Sequence, residues 1–261
     1  MTNLADYVFH NVPAQLSPLE EFLDPFTRAE LGEIAPGAGG HYLDLGAGGG
    51  SVTRMLSELA GGTGRVDAID QDTHMVPQGP NIGIHTQDLS SGEPLAAEGP
   101  FDLIHGRLLT HHLENRVEFV HRLAGSLKPG GWLLLGEFVR STPRVVSAPS
   151  EEHAAVFKRV LDGLYDVMTA RHTHGGWGHE VHRTMLDAGL SAVRTRWHFE
   201  SWTGGDYGCR LYENNVSQKR DAMIEAGFDA SDIDLFLKDL MHNKAMVVRS
   251  HEFVSIRGRR V

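Results

Sequence analysis

The chain has 261 residues, of which 41% are hydrophobic and 22% charged, and its formal net charge is −10. This composition predicts a soluble globular protein with an ordinary core, and the negative charge argues against a polyanionic partner such as a nucleic acid. A single cysteine excludes an internal disulfide, and neither a membrane-length apolar stretch nor a charged-then-apolar leader is present. We therefore expect a cytoplasmic protein that binds neither nucleic acid nor membrane.

Residues 41–59 are the most informative part of the sequence. Residues 41–45 form a short apolar run that predicts a buried strand, and three glycines follow at every second position: Gly46, Gly48 and Gly50. Four apolar residues then recur at helical spacing: Val52, Met55, Leu56 and Leu59. A strand, a glycine loop and a helix in this order bring backbone N–H groups and a helix N-terminus close to a nucleotide-like cofactor. A tight turn that binds nothing is the alternative.

The spacing of the glycines favours one class of cofactor. A dinucleotide-binding fold requires G-x-G-x-x-G, and here Ser51 stands where the third glycine would fall. The pattern is instead D-x-G-x-G-x-G, beginning at Asp44. A carboxylate at the strand tip repels a pyrophosphate but can pair with a cationic amine, which suits a nucleoside that carries an amino acid. On these residues the sequence resembles the class I S-adenosylmethionine-dependent methyltransferases.

The resemblance continues through the next two predicted strands. Residues 65–70 end in Asp70, whose two carboxylate oxygens can accept both hydroxyls of a ribose. Residues 82–88 end in Asp88, which in the family's pattern accepts a hydrogen bond from the adenine amino group, with Leu89 near the ring. Asp70 could instead be a strand-end cap, and Asp88 with its two following serines could be a turn.

Residues 101–109 resemble the family's fourth strand, whose carboxyl end comes closest to the sulfonium. Residues 127–138 match the turn and the fifth strand that follow, with Pro129-Gly130-Gly131 as the turn. Apolar residues between these strands mark one crossover helix: Val117, Val120, Leu123 and Leu127. We expect an α/β fold with a Rossmann-like, doubly wound, mostly parallel seven-stranded sheet and an α-helical lid.

The resemblance implies a set of cofactor-binding residues: Tyr7, Asp44, Gly46, Ala47, Gly48, Asp70, Gln71, Gln87, Asp88, Leu89, His105, Gly106 and Arg107. The segments Tyr7-Val-Phe and residues 23–28 resemble the N-terminal part of small-molecule methyltransferases of the actinobacterial natural-product type. In such relatives a tyrosine near the start closes over the cofactor, so Tyr7 is included in the set. Packing of its ring in the core is the alternative.

The pattern changes after residue 138, where a polar, proline-marked break precedes further helices. Helices are predicted at 151–168, 180–190 and 231–242, with strands at 192–202 and 252–256 and a solvated basic cluster at the end of the chain. We expect a single methyltransferase domain over residues 1–261. Its core comprises about 36–140, 178–202 and 245–261, and its lid segments about 1–30, 143–177 and 203–243. Such a lid would cover the carboxyl ends of the strands.

Methyl transfer requires little from a protein beyond placement of the two reactants. A base helps when the acceptor carries a proton, and histidine is the natural one near neutral pH. The candidates are His105, His111 and His112, each with a structural role as the alternative. We expect no metal, because the histidine-rich residues 172–182 lack cysteine and are interrupted by glycine.

The resemblance implies methyl transfer from S-adenosylmethionine to a small-molecule or peptide-derived acceptor, with oxygen favoured as the accepting atom. The open alternatives are N-methylation of an amine or peptide-derived acceptor, and a cyclase or pericyclase that binds the cofactor without transferring methyl. The aromatic residues Trp177, Trp202 and Tyr207 could stack on a flat acceptor or anchor the lid to the core. A homodimer is compatible with the sequence.

Overall fold

The computed structural model describes residues 13–169 and 176–261 of the chain. Two compact units are present in it. We call them the sheet unit, with described residues 23–139, 176–198 and 253–261, and the helix unit, with described residues 13–22, 140–169 and 199–252.

The described strands are β1 (His41–Leu45), β2 (Arg65–Asp70), β3 (Ile82–Thr86), β4 (Phe101–Arg107), β5 (Leu127–Val139), β6 (Val145–Ser147), β7 (Leu190–His198), β8 (Ser201–Thr203), β9 (Val247–Arg249) and β10 (Glu252–Arg260). The described α-helices are α1 (Pro13–Ile34), α2 (Ser51–Ala60), α3 (Arg116–Ser126), α4 (Glu151–Thr169), α5 (Trp177–Asp187), α6 (Tyr207–Glu225) and α7 (Ala230–Leu235).

Seven strands form one sheet in the order β3-β2-β1-β4-β5-β10-β7. The pairs β2–β3, β1–β2, β1–β4 and β4–β5 are parallel, whereas β10 and β7 are antiparallel. The chain reverses its direction of travel across the sheet at β1, where ligands bind in sheets of this kind. The predicted Rossmann-like, mostly parallel, seven-stranded fold is confirmed.

Apolar residues on both faces of the sheet explain why these elements pack together. Val52 and Leu56 of α2 join the strands in one core cluster, and Phe119 and Leu123 of α3 join another. Burial of each such side chain contributes about 1.5–3 kcal/mol. The predicted crossover helix is α3, but Val117 on it is 42% exposed, because the buried stripe runs through Phe119, and Leu127 begins β5.

Three local predictions in the sheet unit were wrong in detail. The predicted turn at Pro129-Gly130-Gly131 is a bulge inside β5, with Gly130 at a φ of 81°. The predicted strand at 192–202 is two strands, β7 and β8, which belong to different sheets. The basic tail is solvated only in part, because β10 continues to Arg260 and Arg257 is 8% exposed, whereas Arg259 is exposed. The Arg257 guanidinium contacts Glu30 at 2.8 Å and Glu33 at 2.5 Å.

The helix unit contains the antiparallel sheet β6-β9-β8 and the helices α4, α6 and α7. Phe157 of α4 is buried between the rings of Tyr212 and Phe236. The helix predicted at 231–242 is α7 followed by a π-helical turn, Phe236–Leu240. That the segments 143–177 and 203–243 act as a lid stays a prediction.

Trp202 is 1% exposed and packs edge-on against Phe22 and Tyr212 within the helix unit. Its indole nitrogen donates a hydrogen bond to Glu200 at 2.7 Å. These contacts favour the anchoring interpretation of Trp202 over stacking on an acceptor. Among the described residues, no helix combines the length and the apolar character required to cross a membrane.

Candidate functional site

The glycine loop connects β1 to α2 through backbone conformations that favour glycine. The φ angles are 67° at Gly46, 52° at Gly48 and 73° at Gly50. Residues with a Cβ rarely adopt this left-handed region. At Gly50 a Cβ would also overlap the Cδ of Pro77. The loop therefore presents backbone rather than side chains beside the N-terminus of α2, an arrangement that accommodates the close approach of a ligand.

Asp70, at the end of β2, is fixed to this loop. One of its carboxylate oxygens accepts a hydrogen bond from the Gly48 N–H at 2.8 Å, and the other accepts from the Asp72 N–H at 2.9 Å. The side chain is 8% exposed, and burial raises its pKa above the ordinary value although both backbone donors act in the opposite direction. Each oxygen retains a lone pair for a further donor such as a ribose hydroxyl. The neighbouring Gln71 is exposed.

Asp44, at the tip of β1, lies in a more closed environment. It is 1% exposed, accepts a hydrogen bond from the Thr53 hydroxyl at 2.6 Å and lies 2.8 Å from the Nδ1 of His105. Asp44 and His105 are register partners on β1 and β4, and Thr53 belongs to α2. These contacts hold the start of the glycine loop in place. Direct pairing of Asp44 with a cofactor amine stays a prediction.

The end of β3 is organised by side-chain contacts with the following loop. Gln87 donates to a carbonyl and accepts from an N–H of residues 94–96, at 2.7 and 2.8 Å. Asp88 is exposed and accepts from the Ser90 N–H at 2.9 Å, which caps a short 3-10 turn. Leu89 is 6% exposed and packs in the core. Asp88 thus forms the turn that was its alternative interpretation, and its contact with adenine stays a prediction.

Arg107, at the end of β4, connects three elements of the sheet unit. Its guanidinium donates to Asp24 at 2.9 Å and Thr27 at 3.0 Å, both on α1, and to the Ser51 hydroxyl at 3.3 Å at the start of α2. The side chain is 10% exposed. Arg107 therefore fixes α1 against the helix that follows the glycine loop. Gly106 precedes it, and a Cβ there would lie 3.2 Å from Leu135.

The backbone is strained directly after β4. Leu108 has a φ of 54°, a conformation that costs a leucine about 1–3 kcal/mol, and its N–H donates to the Gly136 carbonyl at 2.7 Å. Strain of this kind persists only where the surrounding structure enforces it. Here it directs the next residues, Thr110 to His112, across the carboxyl end of β5.

Glu137 of β5 is the centre of a buried hydrogen-bond network. It is fully buried, and one carboxylate oxygen accepts from both the N–H and the hydroxyl of Thr110. Its other oxygen lies 2.5 Å from the Nδ1 of His111. The indole N–H of Trp177 donates to the Thr110 hydroxyl at 2.7 Å. Trp177 is fully buried, which favours an anchoring role over stacking on an acceptor.

The three candidate histidines have different environments. His105 is 3% exposed and contacts Asp44 within the sheet. The ring centroids of His111 and His112 lie 3.8 Å apart, and burial lowers the pKa of His112 well below its ordinary value, with the electrostatic influence of His111 acting in the same direction. The His111 side chain is 15% exposed and is oriented by Glu137.

Comparison with known proteins decides the family. A model of the methyltransferase domain matches residues 18–191, which is more than half of the chain. The chain belongs to the methyltransferase-domain family. Its assignment to the class I S-adenosylmethionine-dependent methyltransferases, predicted from the glycine loop and the strand ends, is confirmed.

Individual relatives of this methyltransferase differ in the atom they modify. The chain is 32% identical over 114 residues to a ubiquinone biosynthesis O-methyltransferase of Caulobacter vibrioides, covering 41% of this chain and 44% of that protein. It is 29% identical over 109 residues to the N-methyltransferase sirN of Leptosphaeria maculans, covering 40% of this chain and 38% of that protein. The chain spans about half the length of the curated relatives it matches.

A solved structure with the same fold is phosphoethanolamine N-methyltransferase 2 of Haemonchus contortus, in complex with phosphomonomethylethanolamine and S-adenosylhomocysteine. The TM-score is 0.60 at 15% identity, over all of this chain and 60% of that one. At this identity the likeness establishes the fold of the methyltransferase and nothing about its substrate.

The structure thus brings most of the predicted site residues to one edge of the sheet. The glycine loop, Asp70, His105 and His111 lie at the carboxyl ends of β1, β2, β4 and β5. Tyr7 lies outside the described residues, as do His172 and His174 of the histidine-rich segment. In residues 13–169 and 176–261 no group of three side chains is placed to hold a metal ion.

Sequence reasoning did not place Glu137 and Thr110 in the site of this methyltransferase. One signal for Glu137 was available, because it is an acidic residue near the end of a predicted apolar strand, as Asp44 and Asp70 are. No sequence signal links Arg107 to Asp24, which lies 83 positions away.

Proposed function

We propose that the chain transfers a methyl group from S-adenosylmethionine to a small organic acceptor, with an oxygen as the accepting atom. The observation that carries the proposal is the fixed arrangement of Asp70 and the Gly48 N–H, because a carboxylate then lies beside a glycine-rich loop at the switch point of the sheet. Asp70 would accept hydrogen bonds from the ribose hydroxyls, and Asp88 would accept one from the adenine amino group.

The cofactor supplies a methyl group on a sulfonium, and a neutral thioether leaves when that group is transferred in line to the acceptor. The protein's part is to align the two reactants and to exclude water. Arg107 and the Asp44–His105 pair contribute indirectly, since they fix α1, α2 and β4 around the loop. No metal is required by this scheme.

The acceptor that we propose is a natural-product-like small molecule or a peptide-derived one, and the location is cytoplasmic. Oxygen is favoured because it is the more common accepting atom among similar sequences, and the Caulobacter relative is named as an O-methyltransferase. An amine acceptor is the second candidate, since sirN is named as an N-methyltransferase.

The proposal is tested by incubating the chain with S-adenosylmethionine and a panel of phenols, carboxylic acids and amines. Mass spectrometry should show S-adenosylhomocysteine together with one acceptor heavier by a single methylene. Asp70→Asn should reduce the rate at limiting cofactor, whereas the matched variant Asp72→Asn should not, because that neighbouring side chain is half exposed and contacts His74. An acceptor that rearranges without release of S-adenosylhomocysteine would establish the cyclase alternative instead.

A further inference from the structure

The Glu137 network buries a carboxylate at the carboxyl end of the sheet, in contact with a candidate base, His111. A buried carboxylate is costly unless its oxygens receive hydrogen bonds. Here one oxygen receives two from Thr110, and the other lies 2.5 Å from the Nδ1 of His111. The arrangement therefore fixes the position of the His111 ring and turns its Nδ1 toward the carboxylate.

The contact determines which nitrogen of His111 carries the proton. A carboxylate accepts hydrogen bonds, so the Nδ1 of His111 donates to Glu137. In the neutral ring the proton is then on Nδ1, and Nε2 keeps a lone pair. The side chain is 15% exposed, whereas Glu137 beneath it is 1% exposed. A histidine that acts as a general base must be accessible to the acceptor and must have an unprotonated ring nitrogen.

His111 follows closely in the chain a residue that contacts the glycine loop proposed to bind the cofactor. It lies two residues after Leu109, whose Cβ is 3.4 Å from the Cβ position at Gly46 of the cofactor loop. The strained Leu108, which donates to Gly136, directs the intervening residues. The carboxyl end of β4 is the part of the sheet proposed to lie nearest the sulfonium.

The other two candidate histidines do not meet the same requirements. His105 is 3% exposed, and its Nδ1 contact with Asp44 belongs to the packing of β1 against β4. Burial and the neighbouring His111 make protonation of the His112 ring unfavourable, which its lowered pKa reflects. His112 instead packs against His111, with 3.8 Å between the ring centroids, and so restricts rotation of the His111 ring.

We infer that His111 is the general base of the methyl transfer and that Glu137 is its positioning residue. The inference rests on the proposed function. As the acceptor oxygen forms its bond to the methyl carbon, the carbon–sulfur bond breaks and its electron pair stays on the thioether sulfur. The acceptor proton passes to Nε2 of His111 and is then released to water. Thr110 and Trp177 hold Glu137 in place from the other side.

The first test reads the tautomer of His111 by NMR on protein labelled with 15N-histidine, without any acceptor. The resonance is assigned as the one lost in His111→Asn. We expect the proton on Nδ1 in the unmodified chain and a mixture of tautomers in Glu137→Gln, because an amide can also donate. Glu118→Gln, an exposed residue of α3, is the matched control and should leave the spectrum unchanged. A neutral ring with its proton on Nε2 in the unmodified chain would overturn the inference.

The second test measures methyl transfer to the panel member that the unmodified chain methylates, and to catechol and 4-nitrocatechol as probes. His111→Asn should lower kcat by about 10²–10⁴-fold with little change in KM for the cofactor. The loss of kcat should be much smaller with 4-nitrocatechol, because its nitro group acidifies the phenolic hydroxyl, which then ionises without help from a protein base. Glu137→Gln should lower kcat less, Glu137→Asp should recover part of it, and His121→Gln, an exposed histidine, should match the unmodified chain.

The outcomes separate the two claims. If the unmodified chain methylates an acceptor and His111→Asn keeps the same kcat, the base assignment is wrong and the proposed function stands. If the unmodified chain binds S-adenosylhomocysteine but methylates nothing, both the proposed function and the base assignment are contradicted. Circular dichroism of each variant should match the unmodified chain, and a variant that unfolds is replaced by Thr110→Val, which removes one donor to the same Glu137 oxygen.

Discussion

Asp70 and Glu137 are two buried carboxylates near the carboxyl ends of strands in the same sheet, and they are held in opposite ways. Asp70 accepts from two backbone N–H groups, those of Gly48 and Asp72. Glu137 contacts two side chains, those of Thr110 and His111, as well as one backbone N–H. Backbone donors follow from the shape of a nearby turn, whereas side-chain partners exist only once distant segments have folded together. The first kind of site is therefore suited to a fixed cofactor and the second to orienting a reactive group.

The largest effect should come from Gly48→Val, which tests the backbone side of this comparison. Valine does not readily adopt a φ of 52°, so the loop must move and the N–H bonded to Asp70 moves with it. We expect S-adenosylhomocysteine binding to be lost in calorimetry. Gly62→Ala is the matched control, because a Cβ at Gly62 would meet no atom within 4 Å. Retained binding by Gly48→Val would contradict the role of the loop.

Asp70→Asn should have the next largest effect, on cofactor binding and on the pH dependence of stability. Loss of a charged acceptor should weaken the binding of S-adenosylhomocysteine by about 10–100-fold, equivalent to roughly 1–3 kcal/mol. Because burial raises the pKa of Asp70, its ionised form is disfavoured in the folded chain, and the free energy of unfolding falls as pH rises through that pKa. Denaturant titrations without cofactor should therefore show a shallower decline with rising pH in Asp70→Asn than in the unmodified chain, because the variant has no carboxyl to titrate at this position. Equal affinity in Asp70→Asn and Asp72→Asn would refute the ribose assignment.

Near Glu137, His112 should make the free energy of unfolding depend on pH with the sign opposite to that expected for Asp70. Burial lowers the pKa of His112 below its ordinary 6.5, so the unfolded chain binds a proton that the folded chain does not. The free energy of unfolding should then fall as pH falls below 6.5, by up to about 1.4 kcal/mol per pH unit from this group. Denaturant titrations of His112→Asn should show a shallower decline over the same pH range. Parallel declines in the two proteins would argue against a neutral His112 in the folded chain.

The smallest expected effect concerns Trp177→Phe, which removes the indole donor to the Thr110 hydroxyl. Loss of one buried hydrogen bond should lower the free energy of unfolding by about 1 kcal/mol, and the cavity left by the smaller ring adds to this. Cofactor affinity should not change. Trp197→Phe is the control, since Trp197 is 45% exposed. A change in stability no larger than that of the control would remove Trp177 from the network.

The contrast between the two carboxylates also explains how much the sequence could predict. The glycine spacing, Asp44 and Asp70 lie within 27 residues of one another, and turn and strand patterns are short-range signals. The sheet and the Asp70 side of the site were therefore predictable. Glu137 was visible as an acidic residue near a strand end, but its pairing with His111 requires β4 and β5 to lie side by side.

Features that depend on long-range partners were mispredicted for the same reason. Arg257 belongs to a basic tail that the sequence predicts to be solvated, and its contacts with Glu30 and Glu33, 227 and 224 positions earlier, explain its burial. The strand predicted at 192–202 alternates throughout, but it divides because β7 pairs with β10 while β8 pairs with β9. Alternation in sequence cannot show which partner a strand will find.

The most direct test of the central claim is calorimetric titration of the purified chain with S-adenosylmethionine, S-adenosylhomocysteine and NAD in parallel. Binding of the first two, weakened by Asp70→Asn, with no response to NAD, is the expected result. Binding of NAD alone, or binding of S-adenosylmethionine that is indifferent to Asp70, would contradict the account of the glycine loop and its carboxylate.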